Sequence, residues 1–305
     1  MRFAFHAIVS ILLLVTTPLN AGERVNLGFG RLLVNDVFGD QYDRWHTGSG
    51  VVSALRGPEG TQGFANTFGA LIEYRFQAAI LAPGSIRAPA LDDRPYAGVL
   101  SFGVHTHFTE GAFEGSVGID IVATGPQTGM GNFQGDFHDL LDVSRPSAAV
   151  LAGQIPNHFY PTALVEAARP IRLSERLTLR PFVQAQAGVE NYLRVGGDIM
   201  WGTAWDQQIS LRDTTTGLFY QASRGMPAPG VSLLFGVDVT HVFSSAFLPA
   251  AQGYTLTATR SRARLGVHVQ GRKMSVFYGV AWLGREFVAQ PEGQVVGAVR
   301  FGLKF

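Results

Sequence analysis

The chain has 305 residues, of which 46% are hydrophobic and 15% charged, with 37 Gly, 22 Phe and no Cys. Soluble domains carry about 25% charged residues and disordered chains are poor in apolar ones, so this composition argues against both. The missing cysteine excludes a disulfide framework, a thiolate zinc site and a cysteine nucleophile, and a net charge of +1 spread along the chain offers nucleic acid no basic stripe.

At the N-terminus, Arg2 precedes an apolar stretch from Ala7 to Val15 and a small-residue ending at Ala21. This is the pattern of a cleaved secretory signal over residues 1–21. The run is well short of the roughly 20 apolar residues that a membrane-spanning helix needs. Cleavage removes one of the 24 basic residues and none of the 23 acidic ones, so the mature chain, 22–305, is formally neutral.

Beyond residue 21 the recurring feature is alternation. Phe113, Val117, Ile119 and Ile121 alternate with Glu114, Ser116 and Asp120; Leu177, Leu179, Val183 and Ala185 alternate with Thr178, Arg180 and Gln184. Val231, Leu233, Phe235, Val237 and Val239 repeat the pattern, as do Val295, Val299, Phe301, Leu303 and the terminal Phe305. A period of two is a strand with one apolar and one polar face. Both a soluble sandwich and a membrane barrel satisfy it, but many of these runs reach about ten residues, the length of a tilted membrane-spanning strand. A closing aromatic residue is also what outer-membrane barrels resemble one another in. The expected fold is therefore an all-β, transmembrane antiparallel β-barrel in the bacterial outer membrane.

Twelve strands are expected, near 24–34, 47–55, 66–77, 96–108, 113–123, 160–170, 177–190, 197–211, 230–242, 253–271, 275–284 and 294–305. An even count puts both termini on the periplasmic side and the longer connections outside. These external connections fall at about 35–46, 78–95, 124–159, 191–196, 243–252 and 285–293 by the same even-strand rule. The stretch 212–229 makes an unusually long periplasmic connection in this scheme.

Polar clusters gather in the first three external connections: Asn35-Asp36, Asp43-Arg44-Trp45-His46-Thr47-Gly48, Asp92-Asp93-Arg94-Pro95-Tyr96, and Gln134 with His138. Carboxylate, amide and hydroxyl oxygens suit a hard cation such as Ca2+. An imidazole titrates near neutral pH and can take a proton from water. A bound cation adds a positive site for a developing oxyanion, so metal-assisted ester hydrolysis is within this repertoire.

Leu33-Val34-Asn35-Asp36, Asp43-Arg44-Trp45-His46-Thr47-Gly48, Asp92-Asp93-Arg94-Pro95-Tyr96-Ala97-Gly98 and Gln134-Gly135-Asp136-Phe137-His138 resemble the motifs of the outer-membrane lipid A 3′-O-deacylases. The resemblance implies a twelve-stranded barrel that uses Ca2+ to remove the 3′-acyloxyacyl group of lipid A at the outer leaflet. It implies that His138 activates the attacking water and that Asn35, Asp36 and Thr47 are active-site positions, with Asp36 the principal cation ligand and Asn35 and Thr47 beside it. Gln134, Asp93, Arg94 and Tyr96 take supporting places. Two departures stand out. The family has a glutamate six residues after the histidine, where this chain has Ser144, and Asp142 is the nearest substitute acid; a family lysine has no match, and Arg87 is the nearest base for an anionic lipid.

Read from the residues alone, Asn35-Asp36 is also a turn, Asp93-Arg94 an internal ion pair, Trp45 and Tyr96 interfacial aromatics, and His105 and His107 lumen-facing polar residues. Two other functions fit a barrel with these loops: a porin-like or scaffold protein, and a phospholipase-like esterase with a serine nucleophile. The expected partners are lipid A within lipopolysaccharide, the outer membrane and the barrel insertion machinery; no nucleic acid or second copy is expected.

Overall fold

The computed structural model describes residues 24–205, 208–223 and 228–303. The expected signal sequence and the terminal Phe305 lie outside them. Fifteen strands are formed among the described residues: β1 (Val25–Asn35), β2 (Trp45–Gly57), β3 (Leu71–Ala82), β4 (Ala97–Glu110), β5 (Phe113–Thr124), β6 (His158–Ala168), β7 (Ile171–Ser174), β8 (Leu177–Ala187), β9 (Glu190–Trp201), β10 (Ser210–Arg212), β11 (Phe219–Gln221), β12 (Gly230–Ser245), β13 (Arg260–Gln270), β14 (Met274–Leu283) and β15 (Gln294–Leu303). Twelve are staves: β1–β6, β8, β9 and β12–β15 pair antiparallel in a ring. Leu33 opposite Val299 joins the first stave to the last, and Ala163 opposite Ala187 carries the ring from β6 to β8. The short β7 runs on past Pro170 along β8.

The alternation read from the sequence sets the two faces of this wall. On β12, Phe235 and Val237 are nearly half exposed, whereas Ser232, Asp238 and Thr240 are buried. Phe29, Phe76, Phe102, Ile119, Ile121, Val195, Leu265 and Phe301 also point outward on their staves. Each such side chain left in water forfeits about 1.5–3 kcal/mol. Repeated around a whole ring, that cost requires an apolar solvent, so the outward face meets lipid and the barrel spans the outer membrane.

Two expectations need correction. The external connection placed at 191–196 lies inside β9, and the actual turn is at Gly188 and Val189. The alternation of Tyr192, Arg194 and Gly196 facing in with Leu193 and Val195 facing out continues to the strand end, which leaves no room for a loop there. The long connection near 212–229 is also more than a loop. It carries the hairpin β10–β11, whose residues are almost all buried.

That hairpin fills the lumen. Ile209, Leu211, Leu218, Tyr220 and Ala222 form one apolar cluster with Leu32, Val34, Leu55, Leu71 and Phe277 of the wall. Arg212 reaches Asp198 and Glu166, each at 2.8 Å. The Tyr220 and Ser53 hydroxyls are 2.9 Å apart, and Arg262 donates to the carbonyls of Thr214 and Thr215 at 2.9 and 2.6 Å. Behind it the wall carries its own network, with Arg264 on Asp198 and Asp238, Arg180 on Glu166, and Glu73 held by Arg75 and His107. His105 and His107 are thus lumen residues, bonded to Asp120 and Glu73. Above the hairpin remains a polar cavity of about 210 Å³.

Candidate functional site at the barrel rim

The third external connection builds a lid on the rim. A 3-10 turn, Pro126–Thr128, leads into α1 (Met130–Leu140), and α2 (Ala148–Ala152) follows. Ile80, Ala82, Ile86, Tyr96 and Val150 make a small core with Met130 and Leu151. The neighbouring Ala79, Leu81 and Val99 line the lumen cavity instead, so this core sits on the opposite side of the wall, outside the barrel. Gly98 marks the point of contact. A Cβ there would lie 2.5 Å from Thr128 Oγ1 and 2.8 Å from Met130 Cβ, so the lid docks only because the motif ends in glycine. Gly48 serves β1 and β2 similarly, since a Cβ there would sit 3.0 Å from Asn35 Nδ2.

On α1, Gln134 and His138 are four residues apart and both are buried toward the rim. His138 Nδ1 donates to the Ser144 carbonyl at 2.6 Å. This bond fixes the ring and turns Nε2 toward Asp43 Oδ2 at 3.5 Å. Ser144 stands where the family has a glutamate, and it is this residue's main-chain carbonyl that meets the histidine ring. Asp142, the substitute acid expected from the sequence, is exposed with a left-handed φ of 55° and does not meet the ring.

Asp36 lies in the 3-10 turn that follows β1 and is only 1% exposed. It accepts from the Arg44 amide at 3.3 Å. Burial, reinforced by the Asp43 charge, pushes its pKa up to about 8. Burial raises Asp43 as well, while the Thr47 hydroxyl and His138 oppose that shift. Tyr96 is pushed upward by burial and by Asp43. Asp43 has no role of its own in the motif reading, yet it stands among Asp36, Thr47, Tyr96 and His138. Its place at the head of the Asp43-to-Gly48 motif, seven residues after Asp36, is the sequence signal that points to it.

Thr47 sits where the pairing of β2 with β3 slips between His46 and Gly48. Its Oγ1 is buried without a hydrogen-bond partner of normal geometry, as are Asp43 Oδ1, the Tyr96 hydroxyl and both amide atoms of Gln134. Unpaired buried polar atoms cost about 1–3 kcal/mol each, and several at one place mark a site built for something polar. Asn35 is engaged differently. Its Oδ1 accepts from the Val37 amide at 2.9 Å and caps the turn, leaving its NH2 free. None of Asp36, Asp43, Thr47, Tyr96, Gln134 and His138 lines the lumen cavity.

Other expected residues stand apart. Asp93 braces the second external connection, accepting from the Gly84 and Arg94 amides at 2.5 and 2.7 Å. The internal ion pair expected between Asp93 and Arg94 does not form; Arg94 turns to Glu286, which also takes Arg260. Two guanidinium groups hold the Glu286 carboxyl well below its ordinary range despite burial. Arg87 is exposed on the second connection. Trp45 is buried, with Arg44 stacked 4.4 Å from its ring centroid, and His46 faces the lumen beside Ser49.

The chain matches the family model described as outer membrane protein LpxR over residues 8–305. Among curated proteins none matches. Of solved structures, LpxR from Salmonella typhimurium superposes with a TM-score of 0.74 at 16% identity, over 91% of this chain and all of that one. An outer membrane channel from Pseudomonas putida F1 gives a TM-score of 0.44 at 12% identity, over 95% and 100%. The β domain of the Bordetella autotransporter BrkA gives 0.42 at 11%, over 92% and 99%. The twelve-stranded barrel, the rim motifs and the match over nearly the whole length agree: the chain belongs to the LpxR family of outer membrane proteins, the lipid A 3′-O-deacylases that its motifs resemble.

Proposed function

We propose that the chain hydrolyses the 3′-acyloxyacyl ester of lipid A in the outer leaflet, with His138 Nε2 taking a proton from the attacking water. The observation that carries this reading is the ring's setting: Nδ1 is committed to the Ser144 carbonyl and Nε2 opens toward Asp43. The proton that Nε2 accepts leaves an imidazolium, and the Asp43 carboxylate beside it offsets that charge. Position favours a lipid substrate, because the site lies outside the lumen, above the lipid-facing wall.

The donor set fits a hard cation. Asp36 is buried and Asp43 half-buried beside it, its charge raising the Asp36 carboxyl, and with the Thr47 hydroxyl they make an all-oxygen group, which is what Ca2+ accepts. Among the described residues no three His, Asp or Glu side chains converge on one point, so this site would draw on hydroxyl and main-chain oxygens besides its two carboxylates. When bound, the cation supplies positive charge near the developing oxyanion. Asn35, expected as a third ligand, has its oxygen committed to the turn; its free NH2 suits an oxyanion instead. Arg87, exposed on the second external connection, is the candidate for a lipid phosphate. The working unit is a single copy, delivered by the barrel insertion machinery.

Mass spectrometry of lipid A from cells expressing the wild type and His138→Ala, with Ca2+ supplied or chelated, tests this. Wild type with Ca2+ is expected to shed the 3′-acyloxyacyl mass, and the variant to retain it. A wild type that leaves the lipid intact with Ca2+ present sinks the reading. The serine-nucleophile alternative is disfavoured at His138, which meets the carbonyl of Ser144 rather than its hydroxyl.

A further inference from the structure

Helix α1 has a face that the chemistry above does not use. Gln134 and His138 turn toward the rim, while Asp136 and Asp139 turn away and hold Arg145 at 2.7 and 2.9 Å. At about 100° per residue, Phe133, Phe137, Leu140 and Leu141 share the remaining arc. The Phe133 and Phe137 rings stack at 6.2 Å with 8° between their planes. These residues are 59%, 46%, 80% and 55% exposed, and Val143 extends the patch at 50%. A contiguous apolar patch of this kind marks an interaction surface.

What covers it follows from where it lies. Helix α1 sits on the outer side of β3 and β4, over Ile80 and Gly98. Further along the same outward faces, toward the membrane, come Phe76 and Phe102, which are exposed to lipid. The helix arc and the lipid-facing wall are therefore one apolar surface, with the charged arc of α1 on its watery side. This is the arrangement of an interfacial amphipathic helix. We propose that the Phe133–Phe137–Leu140–Leu141 arc is a lipid-docking surface whose occupants are the acyl chains of outer-leaflet lipid. By entering the leaflet, α1 holds His138 at the depth of an acyl ester, a consequence that rests on the deacylase reading.

Phe133→Trp and Phe137→Trp in the full chain, reconstituted in vesicles of phosphatidylcholine brominated on its acyl chains, test the docking. The emission added to that of the four native tryptophans is expected to be quenched by bromine and spared by aqueous iodide. Quenching by iodide overturns the proposal. So does protection from both quenchers in a chain that crosslinks as a dimer, because a second copy then covers the arc. For function, Phe133→Ser with Phe137→Ser is expected to raise KM for vesicle-embedded lipid A about ten-fold while leaving kcat nearly unchanged. An unchanged KM overturns the delivery role. If bromine quenches but the wild type deacylates nothing, the docking stands and the deacylase reading falls.

Discussion

Asp36 is a buried carboxyl and Asp43 a half-buried one, placed close enough that the Asp43 charge helps to raise Asp36. Asp36, Thr47, Gln134 and His138 are legible in the motifs themselves, and all four converge at the rim. Asp43 is harder to single out, because its value comes from a contact with His138 across 95 residues of sequence. Asp142 looks equivalent by spacing and is not, because a left-handed turn swings it into solvent. Asp43→Asn is accordingly expected to lower kcat about 10²-fold, by loss of support for the general base, with the conservative Asp43→Glu recovering part of it. Asp142→Asn is expected to be neutral; equal damage from both would return the orienting role to Asp142. Proton and cation also compete at Asp36. Below its pKa of about 8 the carboxyl keeps a proton that a cation must displace, so the Ca2+ concentration for half-maximal activity is expected to fall up to ten-fold per unit between about pH 6 and 8. The sign for stability is opposite: without a cation the folded state holds this proton more tightly than the unfolded chain does, so folding weakens as pH rises from near 4 to near 8. A half-saturating Ca2+ concentration that ignores pH across this window removes Asp36 from the ligand set.

Strands are readable because a wall between lipid and a polar lumen imposes a period of two on nearly every residue. All twelve staves follow from that period, with boundaries shifted where a turn is tighter or an alternation runs longer. Helix α1 and the hairpin β10–β11 do not, for different reasons. Helix α1 has three arcs, one turned to the rim, one charged and one apolar and exposed, so its sequence carries no simple two-sided pattern. The hairpin strands have three residues each, and their order comes from the wall that encloses them. Lid docking gives the element-scale test. Gly98→Leu places carbon against Thr128 and Met130, an overpacking that costs about 1–3 kcal/mol at the contact. The barrel ring does not depend on this contact, so the variant is expected to insert normally, to match the wild type in its resistance to SDS at room temperature, and to lose most of its kcat. Full kcat in a correctly inserted variant means that the lid does not need that contact for catalysis.

For the whole molecule, composition alone points to the membrane, and the structure gives the reason: apolar side chains face out along the staves, and the lumen is crossed by buried charge pairs. This arrangement decides against conduction. A pore needs a continuous aqueous path, whereas here Arg212, Leu218 and Tyr220 of the hairpin meet Glu166, Asp198, Phe277 and Ser53 of the wall, and the polar cavity lies above this layer. Removing one member of a buried ion pair costs about 3–5 kcal/mol, so the hairpin does not leave the lumen readily. The ring itself is hydrogen-bonded stave to stave without help from β10 or β11, so it is expected to survive their removal with reduced stability. In planar bilayers the wild type is expected to show no steady conductance, and a variant with residues 210–221 replaced by a short Gly-Ser linker to pass ions. Steady current through the wild type means the lumen is open and revives the porin-like reading. A silent linker variant that is still correctly inserted means that the wall network around Arg264, Asp198 and Asp238 closes the barrel by itself.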